Sequence, residues 1–367
     1  MTWHAWVDAE QHAIRATGRW RAPSDHDPAI SPVVSFASND YLGLTRHPDV
    51  IAAAHAALDR FGAGSGSARL IVGSRPVHGE LERELAAWKH MPRAALFPTG
   101  FATNLGVLTT FGGTGVLVCS DEMNHASIID GCRLARADTA VYRHNDLDHL
   151  AHLLRGRGAR RTLVVTDTVF SMDGDRVALD PLVDLCAREQ ALLVLDEAHA
   201  VLGPELGPLP PDAAVLRVGT LSKTLGALGG FVAGPARYIE LVENRARPYI
   251  FTTAPTPADT AAALAALRVV RSTEGNELIA RLRAYVDRLR PHHPSPILPY
   301  VCGEEQAALD AAQALLGRGI LVPAIRPPTV PPGTSRLRVT VSAAHTAAQI
   351  DDLERALDEV LGPVRAR

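Results

Sequence analysis

Residues 162–226 read, in order, TLVVTDTVFSMDGD (162–175), DPLVDLCAREQ (180–190), LLVLDEAH (192–199) and VLRVGTLSKTLG (215–226). Three short apolar runs, each closed by polar residues, have strand character. The segment after the first is amphipathic and opens with Asp180 and Pro181, a favourable helix start. Working outward, AALF (94–97), GVLVCSD (115–121), TAVYR (139–143) and GFVAG (230–234) repeat the pattern, with helical stretches between them. Such alternation predicts an α/β fold with a mainly parallel sheet. In sheets of this kind ligands bind beyond the carboxyl ends of the strands, so chemistry is expected at the residues that close each run.

Those residues form a coherent set. Asp196 and His199 close one run, Thr220, Ser222 and Lys223 a second, and Ser171 and Asp173 a third. A carboxylate, an imidazole and an amine at one sheet edge are what pyridoxal 5'-phosphate requires. Its Schiff base needs a lysine amine, its pyridine nitrogen needs an acid, and its phenolate oxygen needs a donor. Lys223, Asp196 and His199 fit these tasks respectively. The phosphate needs backbone amides at a helix start, and FPTGFATNLG (97–106) reads as strand, turn and helix with Gly100 and Phe101 at its N-terminus. Thr220 is a natural further phosphate ligand, and His125, after the run ending at Ser120, can stack on the cofactor ring.

Composition narrows the function further. The chain has 367 residues, with 37 Lys+Arg against 40 Asp+Glu, yet only Lys89 and Lys223 are lysine. Arginine replaces lysine on a surface at little cost but cannot supply a neutral amine, because guanidinium stays protonated in proteins. Each lysine is therefore informative. Lys223 closes a strand, whereas Lys89, in LERELAAWKHMP (81–92), reads as an ordinary cation near a helix C-terminus. A formal charge of -3 argues against a nucleic-acid partner. The start of the chain lacks a signal-peptide pattern and no segment has membrane-spanning length without charge, so a cytoplasmic protein is expected. Cys119, Cys132, Cys186 and Cys302 stand far apart, and no metal-ligand spacing occurs among the 15 histidines, so no metal site is expected.

Three competing motifs fail on context. DEAH (196–199) as a helicase signature needs a phosphate loop ending in Gly-Lys, and neither lysine follows a glycine. GAGSGSAR (62–69) lacks the third glycine of a dinucleotide fingerprint and follows a helical pattern rather than a strand, so it reads as a substrate loop. Thr220-Leu-Ser-Lys223 has the spacing of a penicillin-recognising motif, with threonine in place of the nucleophilic serine.

The length predicts about two domains. An N-terminal helix and arm are expected over 1–45, a large cofactor-binding domain over 46–245, and a smaller α+β domain over 246–367, where long helices precede the strand RLRVT (336–340).

The motifs together resemble the α-oxoamine synthases among the fold-type I pyridoxal-phosphate enzymes, and within them the 8-amino-7-oxononanoate synthases. The resemblance runs through SFASNDYLGLTRHP (35–48), GSGSARLIVGSRPVHGELE (64–82), NHASIIDG (124–131), VFSMDGD (169–175), IFTTAPTP (250–257) and AIRPPTVPPGTSRLRVT (324–340), besides the segments above. It implies a homodimer that condenses L-alanine with pimeloyl-CoA or pimeloyl-acyl carrier protein in biotin synthesis. It implies catalytic roles for Lys223, His125 and Asp196, with Ser171 beside His199 at the phenolate. Thr252 or Thr253 is implied at the phosphate of the other subunit's site. Arg338 is implied at the amino-acid carboxylate, with His125 and Thr329 as further substrate contacts and Arg19, or Arg21, at the acyl chain. Glycine C-acetyltransferase and 5-aminolevulinate synthase are the sibling alternatives, and an ordinary aminotransferase the more distant one. One departure stands out: Ala200-Val201-Leu202 follow DEAH, where the family usually has glycine.

Overall fold

The computed structural model describes residues 1–23, 32–210 and 213–362. Residues 24–31 of the expected arm, 211–212 of the expected cofactor-binding domain and 363–367 of the expected C-terminal domain lie outside them. The chain separates into a unit Met1–Val34 and a unit Ser35–Arg367. The first contains the helix Trp3–Ala16, which starts at Thr2, whose side chain accepts from the Ala5 amide. None of its residues is buried within the chain, and Trp3 and Trp6 meet edge to face on its exposed surface.

The larger unit is built on a seven-stranded sheet. Its strands are β1 (Arg93–Phe97), β2 (Val116–Asp121), β3 (Asp138–Tyr142), β4 (Arg161–Asp167), β5 (Leu192–Asp196), β6 (Ala214–Thr220) and β7 (Gly230–Gly234). They lie in the order β1-β7-β6-β5-β4-β2-β3. The run from β6 to β3 is parallel, while β7 is antiparallel to both of its neighbours. Burial on both faces explains the near-continuous apolar sequence of these strands. Val118, Val165, Val194, Leu216 and Val232 pack with Val107 and Leu108 of the helix Gly100–Phe111 and with Ile128, all essentially inaccessible.

A smaller C-terminal layer follows the long helices Pro257–Val270 and Thr273–Leu289. Its antiparallel sheet joins β8 (Ile297–Gly303), β9 (Ala324–Ile325) and β10 (Ser335–Thr340) in the order β9-β10-β8. Leu298, Leu337 and Val339 are buried there with Leu315, Leu353 and Leu357 of the helices Glu305–Leu316 and Ala347–Leu361. The loop Ser171–Asp175 fastens this layer to the large sheet. Gly174 has φ +68°, and a Cβ there would fall 2.1 Å from the Ile297 carbonyl oxygen, so the close approach requires glycine. Arg336 pairs with Asp173 in the same contact.

Among the described residues no helix is long and apolar enough to cross a membrane, and no group of three or more His, Cys, Asp or Glu side chains is arranged to hold a metal.

Candidate active site

Parallel strands bring their carboxyl ends to one edge, so Asp167, Asp196 and Thr220 are neighbours because each ends its strand there. Asp167 and Asp196 stand directly opposite each other in the register. Lys223, three residues past β6, turns back over this edge and places Nζ 3.1 Å from Nε2 of His199. Burial pushes the Lys223 ammonium below its ordinary value, against the raising effect of Asp196 and Asp167, which favours a neutral, nucleophilic amine. His199 is 5 % exposed, and burial, reinforced by the positive charges of Lys223 and Arg338, drives its titration well below the ordinary range. It is a neutral imidazole at physiological pH.

Asp196 is held rather than free. Asn104 Nδ2 donates to its Oδ2 at 2.7 Å, and the Ala198 amide donates to Oδ1 at 3.0 Å. Asn104 sits four residues after Gly100 in one helix, hence on the same face. Its Nδ2 also reaches Ser127 Oγ at 2.9 Å, and that hydroxyl lies 2.8 Å from His125 Nδ1. Asp167 Oδ2 accepts from the His125 amide at 2.9 Å. Burial, then the charge of Asp196, pushes the Asp167 carboxyl well above its ordinary value.

The helix Gly100–Phe111 opens the cluster's other side. Thr99 caps it by accepting from the Ala102 amide at 3.0 Å, and its first-turn amides have no intrahelical acceptor. A Cβ on Gly100 would meet Thr220 Cβ at 3.2 Å, so glycine lets the helix start approach the hydroxyl of β6. Phe101 is exposed at this helix start, its ring edge-on to His125 with centroids 6.4 Å apart. The donor set fits pyridoxal phosphate: amine, carboxylate and imidazole at the strand ends, with a capped helix N-terminus and a hydroxyl for an anion.

Arg338 enters from β10 and is 5 % exposed. Its Nε donates to the Ser171 carbonyl at 2.6 Å, one Nη to Thr340 Oγ1 at 2.9 Å and the other to Asn39 Oδ1 at 3.2 Å. Tyr41, wholly buried, places its hydroxyl 2.5 Å from His199 Nδ1. Contacts thus connect Lys223, His199, Arg338 and Ser171 on one side, and Asp196 and His125 on the other. Thr252 is half-buried just beyond the short helix Arg247–Ile250, and Thr329 is exposed in the turn between β9 and β10. Arg19 belongs to the N-terminal unit.

Lys89 corrects an expectation. It does close its helix, as the C-cap residue after Trp88, but it is no solvated cation. It is 8 % exposed, with Nζ 2.8 Å from Glu197 Oε2, and Glu197 Oε1 accepts from Arg217 Nε at 2.6 Å. Arg217 donates in turn to the Lys89 carbonyl at 2.8 Å. The residue that follows Asp196 is therefore locked by two cations. The sequence also left Asn104, Ser127, Asp167, Asn39 and Tyr41 without roles. Asp167 ends its run as Asp196 does, a signal available in the strand pattern, whereas Asn39 and Tyr41 reach the site only through long-range packing.

Comparison with known proteins follows this geometry. The family model described as aminotransferase class I and II matches residues 31–357. An 8-amino-7-oxononanoate synthase of Anaeromyxobacter dehalogenans is 50% identical over 390 aligned positions, covering 98% of each chain. Among solved structures, serine palmitoyltransferase from S. paucimobilis with bound PLP–myriocin aldimine has a TM-score of 0.87 at 30% identity, covering 98% of each chain. The 8-amino-7-oxononanoate synthase of Francisella tularensis has a TM-score of 0.76 at 26% identity, covering 91% of this chain and 98% of that one.

Proposed function

The chain belongs to the 8-amino-7-oxononanoate synthase family of fold-type I pyridoxal-phosphate enzymes, and on that premise we propose that it joins L-alanine to a pimeloyl thioester in biotin synthesis. The acyl carrier is coenzyme A or acyl carrier protein. The α-carbon of alanine gives up its proton, forms the new carbon–carbon bond as the thioester releases its thiol, loses the carboxylate as carbon dioxide and takes a proton back, giving 8-amino-7-oxononanoate with net uptake of one proton. The observation that carries the reading is the Lys223 amine, half-buried at the strand edge 3.1 Å from His199 and lowered in basicity by its burial.

Pyridoxal phosphate, bound through Lys223, supplies an electron sink for the charge that develops on the amino acid's α-carbon. Asp196, fixed by Asn104 and the Ala198 amide, faces the pyridine nitrogen and keeps it protonated. His199, with Ser171 beside it, donates to the phenolate oxygen. Gly100, Phe101 and Thr220 hold the phosphate, and Thr252 serves the site of a second subunit. Once displaced by the amino acid, the Lys223 amine takes up the α-proton and returns it. Arg338 grips the carboxylate of alanine, a bidentate task suited to guanidinium. That grip aligns the bond that breaks. His125 covers the cofactor ring and polarises the thioester carbonyl, Thr329 is a further substrate contact, and Arg19 or Arg21 contacts the acyl substrate.

Homodimer formation is part of the reading. Leu70, Ile71, Val72 and Phe251 are each more than half exposed and lie on neighbouring segments, since Ala68 bridges Thr253. An apolar patch of this kind suits a subunit interface. Coverage of nearly the full length by a synthase of half-identical sequence supports pimeloyl specificity.

The deciding experiment crosses alanine, glycine and serine with pimeloyl, acetyl, succinyl and palmitoyl thioesters and follows thiol release. Alanine with pimeloyl thioester is expected to be fastest. A preference for glycine overturns the substrate assignment, and accumulation of pyridoxamine phosphate from alanine alone, at catalytic rate, replaces it with transamination.

A further inference from the structure

His199 is useful as a donor toward the Lys223 side only if its proton sits on Nε2. Which nitrogen of a neutral imidazole is protonated is set by the hydrogen bond that the other nitrogen makes. Here the other nitrogen, Nδ1, lies 2.5 Å from the Tyr41 hydroxyl. The direction of that bond follows from what else touches the phenol. Arg338 is a positive neighbour of the Tyr41 oxygen and has no lone pair to offer, so it cannot take the phenol proton. The single phenol proton then has two acceptors to choose between, His199 Nδ1 at 2.5 Å and Asn39 Oδ1 at 3.2 Å. The Asn39 oxygen is the longer contact and already accepts from Arg338. An O–H···O bond is normally about 2.7–2.8 Å, so the Asn39 contact is the weaker claim on the proton. A positive neighbour also makes the phenol a better donor.

We propose that Tyr41 is a positioning residue that donates to Nδ1 of His199 and thereby fixes the Nε2–H tautomer. The hydrogen bonds then run one way, from Tyr41 to His199 to the Lys223 nitrogen, with the charge of Arg338 beside the phenol. The groups facing His199 allow this polarity. Lys223 is its hydrogen-bonded neighbour at Nε2 and Tyr41 at Nδ1, Arg338 adds positive charge nearby, and His125 faces it across the site. Nε2–H then points at the Lys223 nitrogen, 3.1 Å away, where burial works against the charged ammonium. With cofactor bound, the same N–H meets the phenolate oxygen. This use of the tautomer rests on the functional reading above, while the tautomer itself does not. A further consequence ties the two ends of the site together: a carboxylate that occupies Arg338 draws positive charge from Tyr41, so amino-acid binding is felt at the imidazole.

The test is long-range 15N–1H correlation spectroscopy on full-length protein labelled at histidine, with and without added pyridoxal phosphate. The His199 signals are identified by their loss in His199→Asn. The expected wild-type spectrum has a pyridine-like Nδ1 and a protonated Nε2 as the sole form, and Tyr41→Phe converts it to a mixture of tautomers. A wild-type proton on Nδ1 overturns the proposal, and so does an unchanged tautomer in folded Tyr41→Phe. The wild-type spectrum decides the matter even if the variant fails to fold. Spectra are taken without substrate, so loss of this assignment and loss of the proposed reaction are separate results.

Discussion

Lys89 and Glu197 form a buried ion pair, Nζ to Oε2 2.8 Å, one residue beyond the carboxylate of Asp196. Glu197 also holds Arg217, so a single acid balances two cations in the space between a helix end and two strands. Removing one partner from a buried pair is costly, about 3–5 kcal/mol, because it strands the other charge. Glu197→Gln strands two cations, whereas Lys89→Met leaves Glu197 with Arg217. Urea unfolding is expected to show the larger loss for Glu197→Gln, on the order of 3 kcal/mol, and the smaller for Lys89→Met. Burial pushes the Glu197 carboxyl up, but Lys89 and Arg217 outweigh it and leave it below its ordinary value. This contribution is present above the ordinary carboxylate range and is lost as pH falls through the lowered value. Wild type and Glu197→Gln should therefore converge in stability on acidification.

His144 has the opposite sign. It bridges Asp121 Oδ1 at 3.0 Å and Asp175 Oδ2 at 2.7 Å, tying the end of β2 to the loop that docks on the C-terminal layer. Burial alone would lower its pKa, but hydrogen bonds to the two carboxylates raise it to about 10. A group raised on folding contributes stability that is full below the unfolded value and is lost as pH climbs through the folded one. Stability curves from pH 6 to pH 10 should show His144→Gln most deficient at the low end, with the gap closing toward pH 10. A gap independent of pH removes the charged bridge.

Borohydride reduction of the pyridoxal-loaded protein should label one lysine of the two in the chain. Peptide mapping is expected to find the label on Lys223, with Lys223→Ala unlabelled and colourless and Lys89→Ala labelled and yellow. Label on Lys89 contradicts the site.

Arg338→Lys keeps the charge but loses the planar fork and the bonds to Ser171, Thr340 and Asn39. A hydrogen bond to a charged group is worth about 1.5–3 kcal/mol, so KM for alanine should rise roughly tenfold to a hundredfold. The thioester KM should change little. Steady-state kinetics in both substrates separates these; equal rises in both KM values remove Arg338 from the amino-acid end.

The sheet was legible in the sequence because strands buried on both faces are written as unbroken apolar runs, and the run GFVAG coincides with the observed β7. Its antiparallel direction was not legible, since burial alone does not encode direction. Lys223, Asp196 and His199 were legible because they close strands. Tyr41 and Asn39 were not, for they lie about 160 and 300 residues from the partners they meet. The place of Lys89 at a helix end was legible, but its burial was not, because that depends on Glu197, 108 residues away in sequence.

The two-lysine composition and the burial of Lys89 have a chemical consequence for a protein that handles activated acyl groups. Thioesters acylate free amines without any catalyst, at a rate set by how much unprotonated, accessible amine they meet. Here every arginine is a guanidinium, which does not react, and the single lysine outside the active site is Lys89, its amine held at 8 % exposure as an ion pair. Neither lysine therefore offers an open surface amine to the proposed acyl donor, and Lys223 is the side-chain amine positioned to meet it.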